Sequence, residues 1–209
     1  MKLLITLVIV FLYLIPPSYT QENQTISELF TLDDSIAGTE NDLLFICRAA
    51  SEGNPEKKNW KTGILIDYDN KTHQVQGHYD AGSDEMRILL QNQSRTIFPQ
   101  KIKAIKVGKM IFVPHEFEGQ ETLTYGYFQV LSSGKINLLK RFENDKGEIV
   151  KYFYTRKMEE PAKLIKLNKN SILKSLDDTR TSKYAKDRKL DVKKEEDLIL
   201  LFNYYNGLN

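Results

Sequence analysis

Disulfides play no part inside this chain, because Cys47 is its only cysteine. Exported proteins commonly rely on such crosslinks, so a fold built from this sequence has to hold by packing alone. Cys47 closes an apolar run, Leu43-Leu44-Phe45-Ile46-Cys47, and a thiol in that setting is expected to be buried and inert rather than nucleophilic. Excess charge of one sign is missing too. Thirty Lys/Arg stand against 28 Asp/Glu, a net charge of +2, and no nucleic-acid partner is expected. The catalytic signatures are also absent: no G-x-S-x-G elbow, no Walker loop, no dinucleotide glycine fingerprint and no H-E-x-x-H. Neither a cofactor nor a metal is expected, since only three histidines are present and a zinc site usually takes three or four oriented protein ligands.

Long apolar runs are confined to the N-terminus. Met1-Lys2 gives a short positive start, and Leu3 to Ile15 is a thirteen-residue, almost wholly apolar stretch. Pro16-Pro17 stops any helix there. Ser18 and Thr20 then put small side chains before the polar Gln21-Glu22-Asn23-Gln24. That is the layout of a cleavable secretory signal peptide, with the mature chain starting near Gln21. A membrane-spanning helix needs about 20 apolar residues, so an uncleaved anchor fits less well. No cysteine follows the cleavage point closely enough for a lipoprotein, and no later segment is apolar enough to cross a bilayer as a helix. Export to the periplasm, to an outer-membrane-associated position or to the medium is the expectation. The sequons at Asn23, Asn70 and Asn92 would carry glycans only in a eukaryotic host.

The near-neutral total hides an asymmetry. Residues 21–150 hold fifteen Lys/Arg against nineteen Asp/Glu, and residues 151–209 hold fourteen against nine. The tail is a basic module on a mildly acidic body. Its charges are interleaved, as in Lys193-Lys194-Glu195-Glu196-Asp197, which reads as a solvated helix face.

Residues 21 to about 60 look irregular, broken only by the 43–47 run, which suits a first strand or a short helix. From Gly63 on, short β-type runs alternate with turn residues. The runs are 64–68, 73–79, 86–90, 102–107, 110–113, 123–131, 136–142 and 149–155, with Asp69-Asn70, Gly108-Lys109, Ser132-Ser133-Gly134-Lys135 and Asn144-Asp145-Lys146-Gly147 among the links. Closely spaced strands with such turns predict antiparallel sheet rather than βαβ units. After Pro161 the period becomes helical. One helix is expected after Asn170-Ser171 with Ile172, Leu173 and Leu176 inward, and a second over 182–188. A last one starts near Asp191 and is stopped by Asn206-Gly207. The predicted class is α+β: an antiparallel β-rich body (small sheet, sandwich or partial barrel) over 61–160, and a short, basic helical module over 161–209 packed on it.

A resemblance rests on specific words in this half of the chain: Gly126 to Leu131, Gly134 to Phe142, Lys151-Tyr152-Phe153-Tyr154, Pro161-Ala162-Lys163-Leu164, Leu190 to Leu198 and Tyr204-Tyr205-Asn206. Over roughly residues 100–209 the chain resembles a group of exported proteins of unknown function from Bacteroidota-type bacteria. In that group a β-rich region ends with G-K-x-x-L-L-K-R, followed by a tyrosine-rich strand and a lysine-rich helical tail. The resemblance implies a bacterial envelope setting and carries no catalytic residue.

Several constellations are candidates for chemistry. Asp67-Tyr68-Asp69-Asn70 opens like a calcium loop, but Thr72 stands where that loop needs glycine. An Asp/Asn-rich turn is the expectation. His73 and His78 are five apart in a strand and point to opposite faces. His78 with Asp80, and His115-Glu116 with Glu118, are acidic–imidazole clusters. Asp84-Glu85 and Glu116 with Glu118 are carboxylate pairs of the kind glycosidases use across a cleft. Tyr125, Tyr127, Tyr152 and Tyr154 are the candidate binding residues, as an aromatic surface for glycan or peptide; tyrosine is equally a good strand former.

Three functions follow. The leading one is a non-enzymatic envelope protein, a binding or structural module whose partner is another envelope protein or a glycan. The alternative is a secreted hydrolase with dispersed carboxylates and histidines. A small ligand-carrying barrel of lipocalin type is the third, and Trp60, preceded by Lys58-Asn59, lacks the Gly-x-Trp that would favour it.

Overall fold

The structure, a computed structural model, describes Ile26, Phe30 and residues 36–50, 59–118, 123–157 and 160–208. The expected signal peptide and the sequon at Asn23 lie outside the described residues. In chain order the elements are β1 (Ile36–Ala37), α1 (Glu40–Ile46), β2 (Cys47–Ala49), β3 (Lys61–Asp67), β4 (Lys71–Asp80), β5 (Glu85–Leu90), β6 (Gln93–Ile97) and a 3-10 turn (Pro99–Lys101). Then come β7 (Ile102–Val107), β8 (Met110–Glu118), β9 (Leu123–Ser132), β10 (Asn137–Asp145), β11 (Glu148–Arg156), β12 (Lys163–Leu164), α2 (Lys169–Leu176), α3 (Thr179–Asp187) and α4 (Glu195–Asn206). The class is α+β, a large antiparallel sheet followed by a short helical segment.

The strands form one sheet in the order β12-β11-β10-β9-β8-β7-β3-β4-β5-β6-β2, with the short β1 added in parallel to β4. Hairpin geometry follows turn chemistry. Lys146 and Gly147 both have positive φ, and Asn144 Oδ1 accepts the Gly147 N–H, a turn whose twist matches the flanking strands. Gln91 and Asn92 do the same between β5 and β6, so a strand stands at 93–97 where none was expected. The segment read as irregular contains α1, which a capping box starts: Thr39 Oγ1 accepts the Asp42 N–H and the Asp42 carboxylate accepts the Thr39 N–H. The 43–47 run is both things considered, helix to Ile46 and strand from Cys47.

Side-chain alternation across β8 and β9 explains how the sheet bends. Phe112 and Tyr127 enter a first core with Leu65, Met86, Ile88 and Ile105. Their neighbours Val113, Phe117 and Phe128 enter a second core with Leu139 and Tyr154. The sheet therefore curls first toward one of its faces and then toward the other. The first curl brings β9 back to β6, where the Tyr127 hydroxyl donates to the Ile97 carbonyl at 3.2 Å, and Leu43 and Ile46 of α1 pack into it. The second curl brings the chain before β12 back to β8: the Ala162 N–H donates to the Glu116 carbonyl at 2.9 Å, and Ala162 bridges Phe117 in parallel. Each large apolar side chain buried in these cores contributes about 1.5–3 kcal/mol.

A third core lies on the outer face of the second curl. Leu138 of β10 and Phe153 of β11 meet Ile172, Leu176, Leu198, Leu201 and Phe202 from the helices. Asn168 caps α2 through Ser171 and Asp178 caps α3 through Thr181, while Glu195, Glu196 and Asp197 fill the first turn of α4 and complement its dipole. Asn206 ties the last helix to the sheet, accepting the Ile136 N–H and donating to Ser132 Oγ and the Ile136 carbonyl. No described helix is long and apolar enough to cross a membrane.

Candidate functional site

The larger concavity is a notch in the edge of β4. β1 pairs with β4 only at Lys71 and Thr72, and β5 begins to pair at Gln76. Between them His73, Gln74 and Val75 carry no strand partner on that side among the described residues. The opening has a volume of about 450 Å³, with Gly38, Thr39 and Glu40 on one wall and Leu89, Leu90 and Gln91 on the other. Its chemistry is mostly neutral. Gln74, Gln76 and Thr62 line it along with His73 and Val75, and the Gln76 amide donates to Thr62 Oγ1 at 3.0 Å.

His73 is the buried polar group of that notch. Its Nε2 lies 2.9 Å from Asp67 Oδ2, both side chains being buried. The other carboxylate oxygen accepts the N–H groups of Asp69 and Lys71, each at 2.9 Å, so Asp67 orders the β3–β4 turn and orients the imidazole at once. A carboxylate only accepts hydrogen bonds; Nε2 therefore donates to Asp67, and Nδ1 is the other polar atom of the ring. That Nδ1 is buried and has no partner among the described residues. Gly38 lies directly over the ring: a Cβ there would stand 1.9 Å from His73 Cε1. No other residue fits at 38 without moving the histidine.

A smaller recess of about 180 Å³ sits at the mouth of the second curl. His115 of β8, Tyr125 of β9 and Arg156 of β11 line it, with Glu116, Glu160 and Pro161. Burial first, and the nearby Arg156 charge second, push the His115 imidazole down to about 3, so it is neutral at physiological pH. Its Nε2 is buried without a partner among the described residues. Burial and the Tyr68 hydroxyl 3.4 Å away hold the Tyr125 phenol well above the usual tyrosine range. Glu160 pairs with Lys163 at 3.0 Å, which holds its carboxyl below the usual range.

Between the two curls lies a polar seam. β9 and β10 pair only from Ser132 opposite Leu138 to Gln129 opposite Lys140. Where that pairing stops, the carboxylate of Asp84, from the β4–β5 turn, accepts the Tyr127 N–H, the Tyr79 hydroxyl at 2.7 Å and the Arg141 guanidinium at 2.8 Å. Arg141 also lies over the Phe117 ring, 4.2 Å from its centroid, and bonds Glu143. Burial raises the Asp84 carboxyl and, more strongly, the Tyr79 phenol. Gly126 makes room, since a Cβ there would stand 2.8 Å from both Arg141 Nε and Asp84 Oδ2. This cluster is a latch between halves of the sheet and opens onto no cavity described above.

The four candidate tyrosines do not share one exposed surface. Tyr125 is half-buried and lines the recess. Tyr127 is buried in the first core with its hydroxyl on Ile97. Tyr154 is buried in the second core; burial and Glu143, which accepts its hydroxyl at 3.3 Å, push it up to about 12. Tyr152 packs half-buried against that same core. Of the acidic–imidazole clusters, His115 and Glu116 do meet at the recess, while the side chain of Glu118 lies outside the described residues. His78 packs edge-on against Trp60 at 6.1 Å and Asp80 pairs with Arg87 at 3.3 Å, so those two serve different partners. Asp84 and Glu85 likewise part, Asp84 to Arg141 and Glu85 to Arg48 and Arg87. Asp67 to Asn70 forms a turn, with Asn70 at φ 62. Cys47 is buried, and burial raises its thiol. No grouping suited to a metal ion occurs among the described residues.

Residue-by-residue reading missed the His73–Asp67 pair and Arg141. The first was legible in principle: a turn-forming Asp and a histidine six positions on, at the facing ends of a hairpin, come side by side. Compared with protein-family models, curated proteins and solved structures, the chain matches none.

Proposed function

We propose that this protein is an exported, non-enzymatic binding module of a bacterial envelope, and that its ligand is a compact, hydroxyl-rich molecule of glycan type held in the β4 notch. The N-terminal export signal and the resemblance of residues 100–209 support the location. The notch supports the ligand class. Its floor is a free strand edge three residues long, about 10 Å at the usual rise, whereas a peptide adding as a strand uses about five or six residues. A compact ligand suits it better, and about 450 Å³ lies within the usual range for small-molecule pockets, about 300–1,000 Å³. Glutamine amides, the Thr62 hydroxyl and the backbone groups of the strand edge match hydroxyls that both donate and accept. Among the described residues Glu40 is the one acid of the lining and no Lys or Arg is part of it, which disfavours phosphate-bearing ligands.

The single observation that carries this reading is the interrupted edge of β4: His73, Gln74 and Val75 have no strand partner on that side among the described residues and stand at the wall of a mostly neutral polar cavity. Ligand hydroxyls would bond to that edge. The same histidine is the observation that favours a hydrolase, because a carboxylate-oriented imidazole is the base half of a catalytic triad. Among the described residues the lining holds no serine or cysteine, however, and the Thr39 hydroxyl is committed to Asp42 at 2.7 Å.

The test uses the mature chain and the Gly38→Ala variant on a panel of immobilised neutral oligosaccharides. Saturable binding by the wild type, lost in Gly38→Ala while both melt cooperatively, supports the reading. Equal binding by both proteins contradicts the notch, and release of reducing ends by the wild type favours the hydrolase. Export is checked separately by the mass of the chain from the envelope fraction, expected to start near Gln21.

A further inference from the structure

The notch opens onto the face of β3 and β4 that is turned away from the first core. Thr62 and Gln76, which line it, stand opposite each other on that face. Two residues on, about 7 Å at the usual rise of a strand, the same face carries Trp60, just before β3, and His78 of β4. Their ring centroids are 6.1 Å apart with planes at 63°, and both residues are half-buried. Trp60 is the chain's only tryptophan, and among the described residues it belongs to none of the three cores. Tyr79, Phe112 and Tyr127 of the same curl pack in the first core instead. An indole offers an apolar ring face and an N–H donor at its edge. A sugar ring has the matching form, with a side of C–H groups that packs on an aromatic face and hydroxyls around its rim. Arg87, opposite His78 on β5, is held by Asp80 at 3.3 Å and Glu85 at 2.8 Å, so ion pairs close the face beyond His78 and a neutral unit fits better than an acidic one.

We infer that Trp60, with His78 beside it, is a second subsite of the notch, and that the ligand is a neutral oligosaccharide of at least two units. One unit sits in the notch and the next lays its C–H face on the indole. This inference rests on the glycan reading of the notch and narrows it, because a monosaccharide reaches only the first subsite. The strand register sets the spacing: Thr62 opposite Gln76 and Lys61 opposite Gly77 put Trp60 across from His78. Both subsites therefore stand on the same two strands and are formed before the ligand arrives.

Because Trp60 is the only tryptophan, its fluorescence in the mature chain reports the second subsite, while the nitrogen-15 signal of the His73 ring reports the notch. The probes are glucose with cellobiose and cellotriose, and N-acetylglucosamine with chitobiose and chitotriose. In the ladder that binds, the monosaccharide should move His73 and leave the fluorescence unchanged. The dimer should move both and bind at least about tenfold more tightly, a difference of about 1.4 kcal/mol. Trp60→Ala should return the dimer to the affinity of the monosaccharide with the His73 response in place. Should that variant fail to fold, the wild-type fluorescence decides the question by itself. A dimer that moves His73 but not the fluorescence, or whose advantage survives in Trp60→Ala, overturns the second subsite and leaves the notch standing. If no member of either ladder moves His73, the notch reading falls and the subsite with it.

Discussion

Each curl of the sheet holds one imidazole, His73 buried and His115 half-buried with its Nε2 inside, and the two are kept in opposite ways. In the first curl His73 is anchored at Nε2 by Asp67, whose remaining oxygen also fixes the β3–β4 turn. In the second, His115 has Arg156 for a charged neighbour and no partner at Nε2, and burial drives its proton off. The same side chain is thus a structural bond in one place and a neutral wall in the other. What differs is the sign of the nearest charge and whether a carboxylate faces the ring. The cores differ in parallel: mainly aliphatic in the first, while Phe117, Phe128 and Tyr154 meet edge to face in the second.

The largest expected effect falls on the seam that joins the curls. Arg141→Leu leaves the Asp84 carboxylate buried without its cation, and breaking a buried pair costs about 3–5 kcal/mol. Urea denaturation should show that loss. Asp84→Asn in the same chain should recover part of it, because the stranded charge is gone. If the single variant is as stable as the wild type, the seam does not hold the halves together.

Next comes the contrast between the histidines themselves. His73→Leu removes the partner of a buried carboxylate and should cost about 1.5–3 kcal/mol, the range for hydrogen bonds to charged groups. His115→Phe deletes a nitrogen that has no partner and should change stability by less than about 1 kcal/mol. Equal costs would erase the distinction. His115 should also show itself in the pH dependence of stability. For His115 the folded-state value, about 3, lies below the ordinary 6.5, so between those values the unfolded chain binds the extra proton. Stability then rises with pH across that window and is lost as pH falls through it. Urea midpoints measured across the window should fall less steeply on acidification in His115→Phe than in the wild type.

The smallest effect tests the closure of the first curl. Tyr127→Phe removes the bond to the Ile97 carbonyl and leaves the ring in place, so about 0.5–1.5 kcal/mol should be lost. Faster amide exchange at β6 than at β3 would locate the loss; a uniform change would argue that β9 and β6 are joined by packing alone.

Much of the strand layout was legible because turn residues announce themselves. Gly108 and the Asn144–Gly147 link mark hairpins by their chemistry, and the helix end at Gly207 by its position. The turn at Gln91-Asn92 was hidden, since glutamine seldom takes positive φ. The opposed bends were hidden for a stronger reason. In β8 and β9 both faces are buried, so Phe112-Val113 and Tyr127-Phe128 lose the alternation that would show an inside and an outside. The same burial scattered the tyrosines. Strand parity puts Tyr125 and Tyr127 on one face, but only position along the curl decides that one reaches a recess and the other a core. His115 with Glu116 could be read as a pair; Arg156 and Glu160 join them only through the return of the β11–β12 link to β8.

The claim that the notch is the ligand site is tested most directly at the His73 ring, which lines it. A neutral oligosaccharide that binds the mature chain should be titrated against nitrogen-15 histidine protein. A saturable shift of the His73 ring nitrogens, with His115 unmoved, is the predicted result. Saturation of binding with His73 unchanged would contradict it.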